Sequence, residues 1–316
     1  MSRIPYADRL MRFARLPSAV GATHGDVVRL QQQVEVGNML TGKLMADRVR
    51  NLGPRRWLRD AEFKVFSQWG DDGIIQYLIE QAGVTNQTFV EFGVQDYRES
   101  NTRFLLMNDN WRGMVIDGDP DFMALVRSED LYWRHDLTAV AAFITKENIN
   151  DLIRTAGFAG PLGILSVDID GNDYWVWEAI DVVDPEIVIV EYNSVFGPRR
   201  TVSVPYDPAF VRQKAHNSYL FWGCSLAALC LLAQRKGYAF VGCNSNGNNA
   251  YFVKASRAGN LQTFTPQDGY VESRFRESRD PQGRLTFVRG EARFALIADM
   301  KVVDVATSET RRLGDT

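Results

Sequence analysis

The sequence predicts an α/β fold: a mostly parallel sheet with helices on both faces, followed by an antiparallel hairpin. Three observations predict it. Short apolar runs alternate with helical patterns over residues 60–195. The run 186–191 is almost continuously apolar and β-branched, as suits a strand buried on both faces. Two further apolar runs, 238–243 and 250–254, flank a turn rich in Asn and Gly, the pattern of a hairpin.

The bulk numbers fit that class. The 316 residues are 45% hydrophobic and 24% charged, an ordinary globular balance that can bury a sizeable core. Thirty-six basic against 39 acidic residues give a net charge of −3, which gives no reason to expect nucleic acid as the main partner. Cys224, Cys230 and Cys243 form no CxxC pair and read as small buried apolar residues, so a reducing, cytoplasmic setting is expected. No apolar run is long enough for a membrane span, and the start Met-Ser-Arg-Ile-Pro lacks the apolar core of a secretion signal.

The elements follow in order. Residues 1–59 are basic, with Arg at 3, 9, 12, 15, 29, 48, 50, 55, 56 and 59. Val27, Leu30, Val34, Leu40, Leu44, Met45 and Val49 form an irregular helical stripe interrupted by Gly37 and ended by Pro54. It reads either as a helix packed on its own domain or as a contact between two copies of the chain. Within 60–255, helices are expected over 72–83, 101–108, 120–127, 139–156 and 173–180, and strands over 88–92, 112–117, 131–135, 164–168 and 186–191. A polar loop, 192–219, precedes a strongly apolar helix at 225–235, with Gly237 placed to cap it. Residues 256–316 form a polar extension with short strands at 285–289 and 301–305.

Ligands of open parallel sheets bind at the carboxyl ends of the strands. There the sequence places Glu91 and Gly93, then Asp117 and Asp119, then Asp136, then Asp168 and Asp170, then Glu191 and Asn193. One such carboxylate is an ordinary cap or turn residue. Five in succession predict a pocket rich in acceptors, suited to ribose hydroxyls, an amino or cationic group, or a hard cation. The turn Gly93-Val-Gln-Asp-Tyr-Arg-Glu lacks the G-x-G-x-x-G of dinucleotide enzymes. There is no P-loop, no G-x-S-x-G elbow and no zinc-type Cys/His cluster.

Several motifs in this order resemble the FkbM-type class I S-adenosylmethionine-dependent methyltransferases. They are Phe66-Ser-Gln-Trp-Gly-Asp-Asp-Gly73, Val90-Glu-Phe-Gly-Val94, Glu99-Ser-Asn-Thr102 and Leu165-Ser-Val-Asp-Ile-Asp-Gly-Asn-Asp-Tyr-Trp175, with Glu191-Tyr-Asn193 and the 242–250 turn. The resemblance implies a Rossmann-like sheet of seven strands and O-methylation of a saccharide, such as a surface polysaccharide or glycosylated natural product. It implies that Glu91 and Gly93 lie near the methionine end of the cofactor. Ser100, Asn101 and Thr102 would hold its carboxylate or amine, Asp117 its ribose and Asp136 its adenine, while Gln68 and Asp72 would close the pocket. Gln95 and Tyr97 stand where family-like turns carry glycines, so Tyr97 is expected to cap or narrow the pocket.

Asp168-Ile-Asp170-Gly also resembles the acidic motif of magnesium-dependent sugar O-methyltransferases. Asp168, Asp170, Glu191 and Asn193 therefore read either as Mg2+ ligands or as caps and turn residues. The general base is sought among His216, Asp168, Asp170 and Glu191. Arg199, Arg200, Arg212 and Tyr219 are substrate-contact candidates; Trp175 and Trp177 read as core. The alternative is a non-catalytic binding or scaffold protein of a polysaccharide assembly system on a degenerate methyltransferase fold.

Overall fold

The computed structural model describes the backbone of residues 6–316 and the side chains from residue 26 onward, Val28 excepted. The basic side chains at 3, 9, 12 and 15 lie outside the described residues. The chain divides into two compact units, Met1–Met45 and Ala46–Thr316. Helix α1 (Tyr6–Arg50) runs uninterrupted through Gly37, and Val27, Leu30, Val34, Leu40 and Leu44 along it are exposed.

In the second unit, seven strands form one sheet: β1 (Thr88–Phe92), β2 (Arg112–Asp117), β3 (Leu137–Ala141), β4 (Gly160–Val167), β5 (Val183–Glu191), β7 (Tyr238–Cys243) and β8 (Asn249–Lys254). Their order is β3-β2-β1-β4-β5-β8-β7. The first five are parallel; β8 pairs antiparallel with β5 and with β7. This is the predicted architecture. Helices α2 (Asp71–Ala82), α3 (Arg103–Asp109), α4 (Pro120–Ser128), α5 (Asp130–Arg134), α6 (Ile149–Thr155), α7 (Asp173–Ala179), α8 (Arg212–Ala215) and α9 (Leu226–Arg235) connect the strands.

Alternation along the strands divides the core. Val90, Leu165, Val188 and Phe252 share one cluster with Tyr174 and Trp177 of α7 and Leu226 and Leu229 of α9. Their fully buried neighbours Phe89, Ile164, Ile187 and Tyr251 turn to the other face. Burial on both faces explains why β5 reads as a continuous apolar run.

The third strand departs from expectation. Residues 131–135 are mostly helical, in α5, where Arg134 reaches back to Asp130 at 2.7 Å, one turn earlier. The strand lies at Leu137–Ala141, whose buried Leu137 and Ala139 alternate with half-buried neighbours. The predicted helix 139–156 thus merged the end of β3 with α6. The expected strand at 285–289 reduces to a single bridge between Arg279 and Leu285.

The remaining C-terminal chain adds α10 (Pro266–Gly269), α11 (Glu291–Ile297), β9 (Lys301–Asp304) and β10 (Glu309–Arg312). With β6 (Val202–Ser203) from the loop after β5, these last strands form a second sheet in the order β10-β9-β6. Phe196, Val202, Leu220, Phe221, Ile297, Val302 and Leu313 close a separate core beneath it. That core fixes the C-terminal segment against the long loop. Among the described residues no helix is long and apolar enough to cross a membrane.

Candidate functional site

Strand order reverses between β1 and β4, which is where an open parallel sheet forms a crevice. A cleft of about 460 Å³ opens there, lined by the carboxyl ends of the central strands and by the loops after them.

The turn after β1 is strained and tight. Gly93 has φ +71°, and a Cβ on it would lie 1.8 Å from the Asp168 carbonyl oxygen. No side chain fits between β1 and β4 at that point. Gln95 and Tyr97 also adopt positive φ, 49° and 63°. Tyr97 neither caps nor narrows the cleft, because its ring is wholly buried and its hydroxyl meets Thr102 Oγ1 at 3.0 Å. Arg103 Nη1 donates to the Tyr97 carbonyl at 3.2 Å, and these bonds hold the unusual backbone.

Glu91 works behind the cleft, not in it. Its carboxylate accepts from the Asn101 N–H at 2.7 Å, the Thr102 N–H at 3.0 Å and the Thr102 hydroxyl. Burial raises its pKa to about 7, against the pull of those donors. The Ser100 hydroxyl accepts from Arg103 N–H, and the Asn101 amide donates to Ser166. Glu91, Ser100, Asn101 and Thr102 therefore shape the turn, and none of them lines the cleft. Asp72 is likewise a clamp: Val65, Phe66 and Ser67 all donate backbone N–H groups to its Oδ2. Burial raises it to about 6. Of the residues expected before β1, Gln68 reaches the cleft and Asp72 does not.

Asp117 stands at the carboxyl end of β2 and lines the cleft. Its oxygens accept from Gln95 N–H at 2.8 Å and Asp119 N–H at 2.9 Å. A carboxylate has about four lone-pair positions, so acceptor capacity remains. Asp136 is misplaced by the shift of β3. It precedes the strand and lies 3.5 Å from Arg112, at the amino ends of β3 and β2. The residue that does follow β3 into the cleft is Phe143, whose ring is exposed beside Gly118.

Asp168 and Glu191 lie next to one another at the ends of the paired strands β4 and β5, and both line the cleft. Burial and mutual repulsion, reinforced by Asp170 and Asp173, push both well above the ordinary carboxylate range. Glu191 Oε2 is buried and has no hydrogen-bond partner among the described residues. Asp173, unremarked in the sequence, builds the turn that carries them: its oxygens accept from Ile169 N–H at 2.8 Å and Gly171 N–H at 2.9 Å.

The expected Mg2+ set does not assemble. Asn193 Oδ1 accepts from Val195 N–H at 3.0 Å, and its amide donates to Leu220 and Trp222 carbonyls, each at 2.9 Å. Asp170 points to Arg212 at 2.6 Å. Among the described residues, no three His, Cys, Asp or Glu side chains converge as a cation site. Asn193 follows the turn reading instead, whereas Asp170 forms an ion pair and does not cap the following helix.

His216 is absent from the lining. Its Nδ1 accepts from Ser218 N–H at 3.2 Å and meets Ser218 Oγ at 2.7 Å, a local turn. Burial lowers its pKa, and the structure does not bring it to the cleft. Arg200 packs over Phe294 at 4.3 Å and donates to Thr316, Arg199 is exposed, and Tyr219 lies under Arg279. None of the three lines the cleft.

Arg212 does, held by Asp170, by the Tyr219 carbonyl at 3.0 Å, and over Trp222 at 4.8 Å. The remaining wall was not anticipated: Ser273, Phe275, Glu277 and Arg293 come from the C-terminal extension. Their stretch has no periodic pattern, so no sequence signal marked them.

No family model and no curated protein matches the chain. Several solved structures do. The N-terminal domain of EvdMO1 with SAH bound is 11% identical, over 67% of this chain and 94% of that one, with a TM-score of 0.39. An O-methyltransferase from Bacillus cereus in complex with SAH is 10% identical, over 69% and 91%, with a TM-score of 0.37. TrmK from M. capricolum, in complex with S-adenosyl-homocysteine, is 10% identical, over 56% and 67%, with a TM-score of 0.32. At these values the likeness transfers no residue role to this chain.

Proposed function

We propose that this protein is an S-adenosylmethionine-dependent O-methyltransferase acting on a hydroxyl of a saccharide-like acceptor. The observation that carries the reading is the pair of neighbouring carboxyl groups, Asp168 and Glu191, set in the crevice at the ends of β4 and β5 against Gly93. The donors and acceptors around it fit the cofactor. Asp117 has lone pairs left for ribose hydroxyls, Phe143 offers an aromatic face to adenine, and Gly93 leaves bare backbone between them and the pair. S-adenosylmethionine, when bound, supplies an electrophilic methyl group on a sulfonium.

The protein's own part is alignment and proton transfer. An acceptor hydroxyl beside the pair would donate its hydrogen bond to an ionised carboxylate, and that carboxylate would take up the proton as the methyl passed from sulfur to the hydroxyl oxygen, with S-adenosylhomocysteine as the leaving group. A base whose pKa is raised toward neutrality is the stronger one for this task. Phe210, Trp222 and Phe275 offer apolar faces to a sugar ring, and the buried Asn172 Oδ1, without a hydrogen-bond partner among the described residues, offers an acceptor.

The alternative, a non-catalytic binding protein, drew on Gln95, Tyr97 and the helical N-terminus. The burial of Tyr97 removes one of these supports, and the carboxyl groups retained in the cleft favour the catalytic reading. Incubation with S-adenosylmethionine and a panel of neutral and acidic sugars tests it. S-adenosylhomocysteine formed in proportion to a methylated sugar is expected; cofactor binding without turnover across the panel favours the alternative.

A further inference from the structure

Arg293 is 8% exposed and lines the cleft, yet its guanidinium makes no hydrogen bond or ion pair with any described residue. That is unusual. A buried charge without a partner is costly, and proteins ordinarily pair it. Two other arginines of this part of the chain show the ordinary case. Arg212 is paired with Asp170 at 2.6 Å, and Arg279 with Glu277 at 2.9 Å. The Glu277–Arg279 pair leaves Glu277 3.8 Å from Arg212 and beyond ion-pair reach of Arg293.

Arg293 is also held firmly in place. Its helix is anchored by Ile297 and Phe294 in the core beneath the small sheet. Burial pulls the guanidinium's pKa down, and Glu272 and Tyr270 partly restore it. An arginine remains charged under such shifts. Two hydroxyls line the same cleft. Ser194 Oγ accepts from Ser273 N–H at 3.1 Å, and Ser273 Oγ accepts from Phe275 N–H at 3.1 Å. Each spends a lone pair and keeps its own proton to donate. The wall therefore presents a cation and hydroxyl donors, the complement of the acceptor-rich strand ends.

We propose that this wall binds an anionic group of the acceptor, a carboxylate or a phosphate, with Arg293 as its principal partner. The proposal rests on the methyltransferase reading only in calling that molecule the acceptor. The substrate class narrows from a neutral sugar to an acidic or phosphorylated one. Arg293 would then determine specificity: it fixes which end of the acceptor lies on the β4–β5 side of the cleft and hence which hydroxyl meets Asp168 and Glu191.

The test is titration of the full chain with glucose, glucuronate and glucose 1-phosphate, for wild type, R293Q and R293K. Wild type should bind at least one of the two anions roughly tenfold or more tightly than glucose. R293Q should erase that preference, R293K should keep part of it, and the anion that binds identifies the group recognised. Thermal melts serve as the folding control. R293Q relieves an unpaired buried charge, so its midpoint without ligand should equal or exceed that of wild type, whereas a structural arginine would lower it. Equal affinity of wild type for all three sugars, no binding of either anion, or a preference that survives in R293Q overturns the proposal. S-adenosylmethionine binding to the same variants is measured separately. Its absence in wild type would overturn the methyltransferase reading without touching the anion site.

Discussion

Asp168→Asn and Glu191→Gln should each lower kcat by about 10²–10⁴-fold while leaving cofactor affinity nearly unchanged, the range expected for loss of a general base. Steady-state kinetics with the sugar that supports turnover check this. The pH profile adds a sharper criterion. The base must be ionised, so kcat/KM in the wild type should climb as pH rises through the pair's elevated titration range. Stability should move the other way. Both carboxyls titrate above their ordinary values of 3.8 and 4.5, so protonation favours the fold. That contribution is complete below the ordinary carboxylate range and is lost as pH rises through the raised values. Glu191→Gln removes one of the two charges. Denaturation at alkaline pH should therefore find the inactive variant at least as stable as wild type. A variant that is both inactive and markedly less stable at high pH would point to a packing role for the pair.

Gly93→Ala should destabilise the fold by about 2–5 kcal/mol. A left-handed backbone with a Cβ costs roughly 1–2 kcal/mol, and overpacking adds about 1–3 kcal/mol. The added Cβ would lie 1.8 Å from a backbone oxygen of the neighbouring strand end, which no rotamer change can relieve. Relief requires the ends of β1 and β4 to part, and that displaces Asp168. The variant should lose stability and cofactor affinity together, as urea unfolding and titration would show. Normal affinity in a stable Gly93→Ala protein would mean that the crevice does not depend on this approach.

The sheet was largely legible because its central strands are short apolar runs with abrupt polar ends. β1 and β2 begin and end where the apolar pattern does, and Ser225, Gly237 and the Asn-rich turn mark the helix and hairpin that follow. The third strand was not legible. Leu137-Thr-Ala-Val-Ala carries weak alternation next to Leu131-Tyr-Trp, and single-residue burial decided between them. The site was legible as a location and only partly as a set of roles. Asp117, Asp168, Asp170 and Glu191 reach the cleft as their strand ends predict. Glu91 and Asp72 do not, because a carboxylate that clamps a loop has the same sequence appearance as one that faces a ligand. Their partners are backbone N–H groups at 101–102 and 65–67, which no motif displays. Arg212 and Arg293 differ for the same reason. The first lies in a loop already suspected, while the second is carried to the cleft by a core far from it in sequence.

The central claim is that this crevice binds S-adenosylmethionine through the carboxyl end of β2. Isothermal titration of the cofactor into wild type and Asp117→Ala measures it directly. Saturable heat in the wild type is expected, with affinity weakened roughly tenfold or more in the variant, since a charge-assisted hydrogen bond contributes about 1.5–3 kcal/mol. No heat at high micromolar cofactor, or an affinity unchanged by loss of the Asp117 carboxylate, would contradict it.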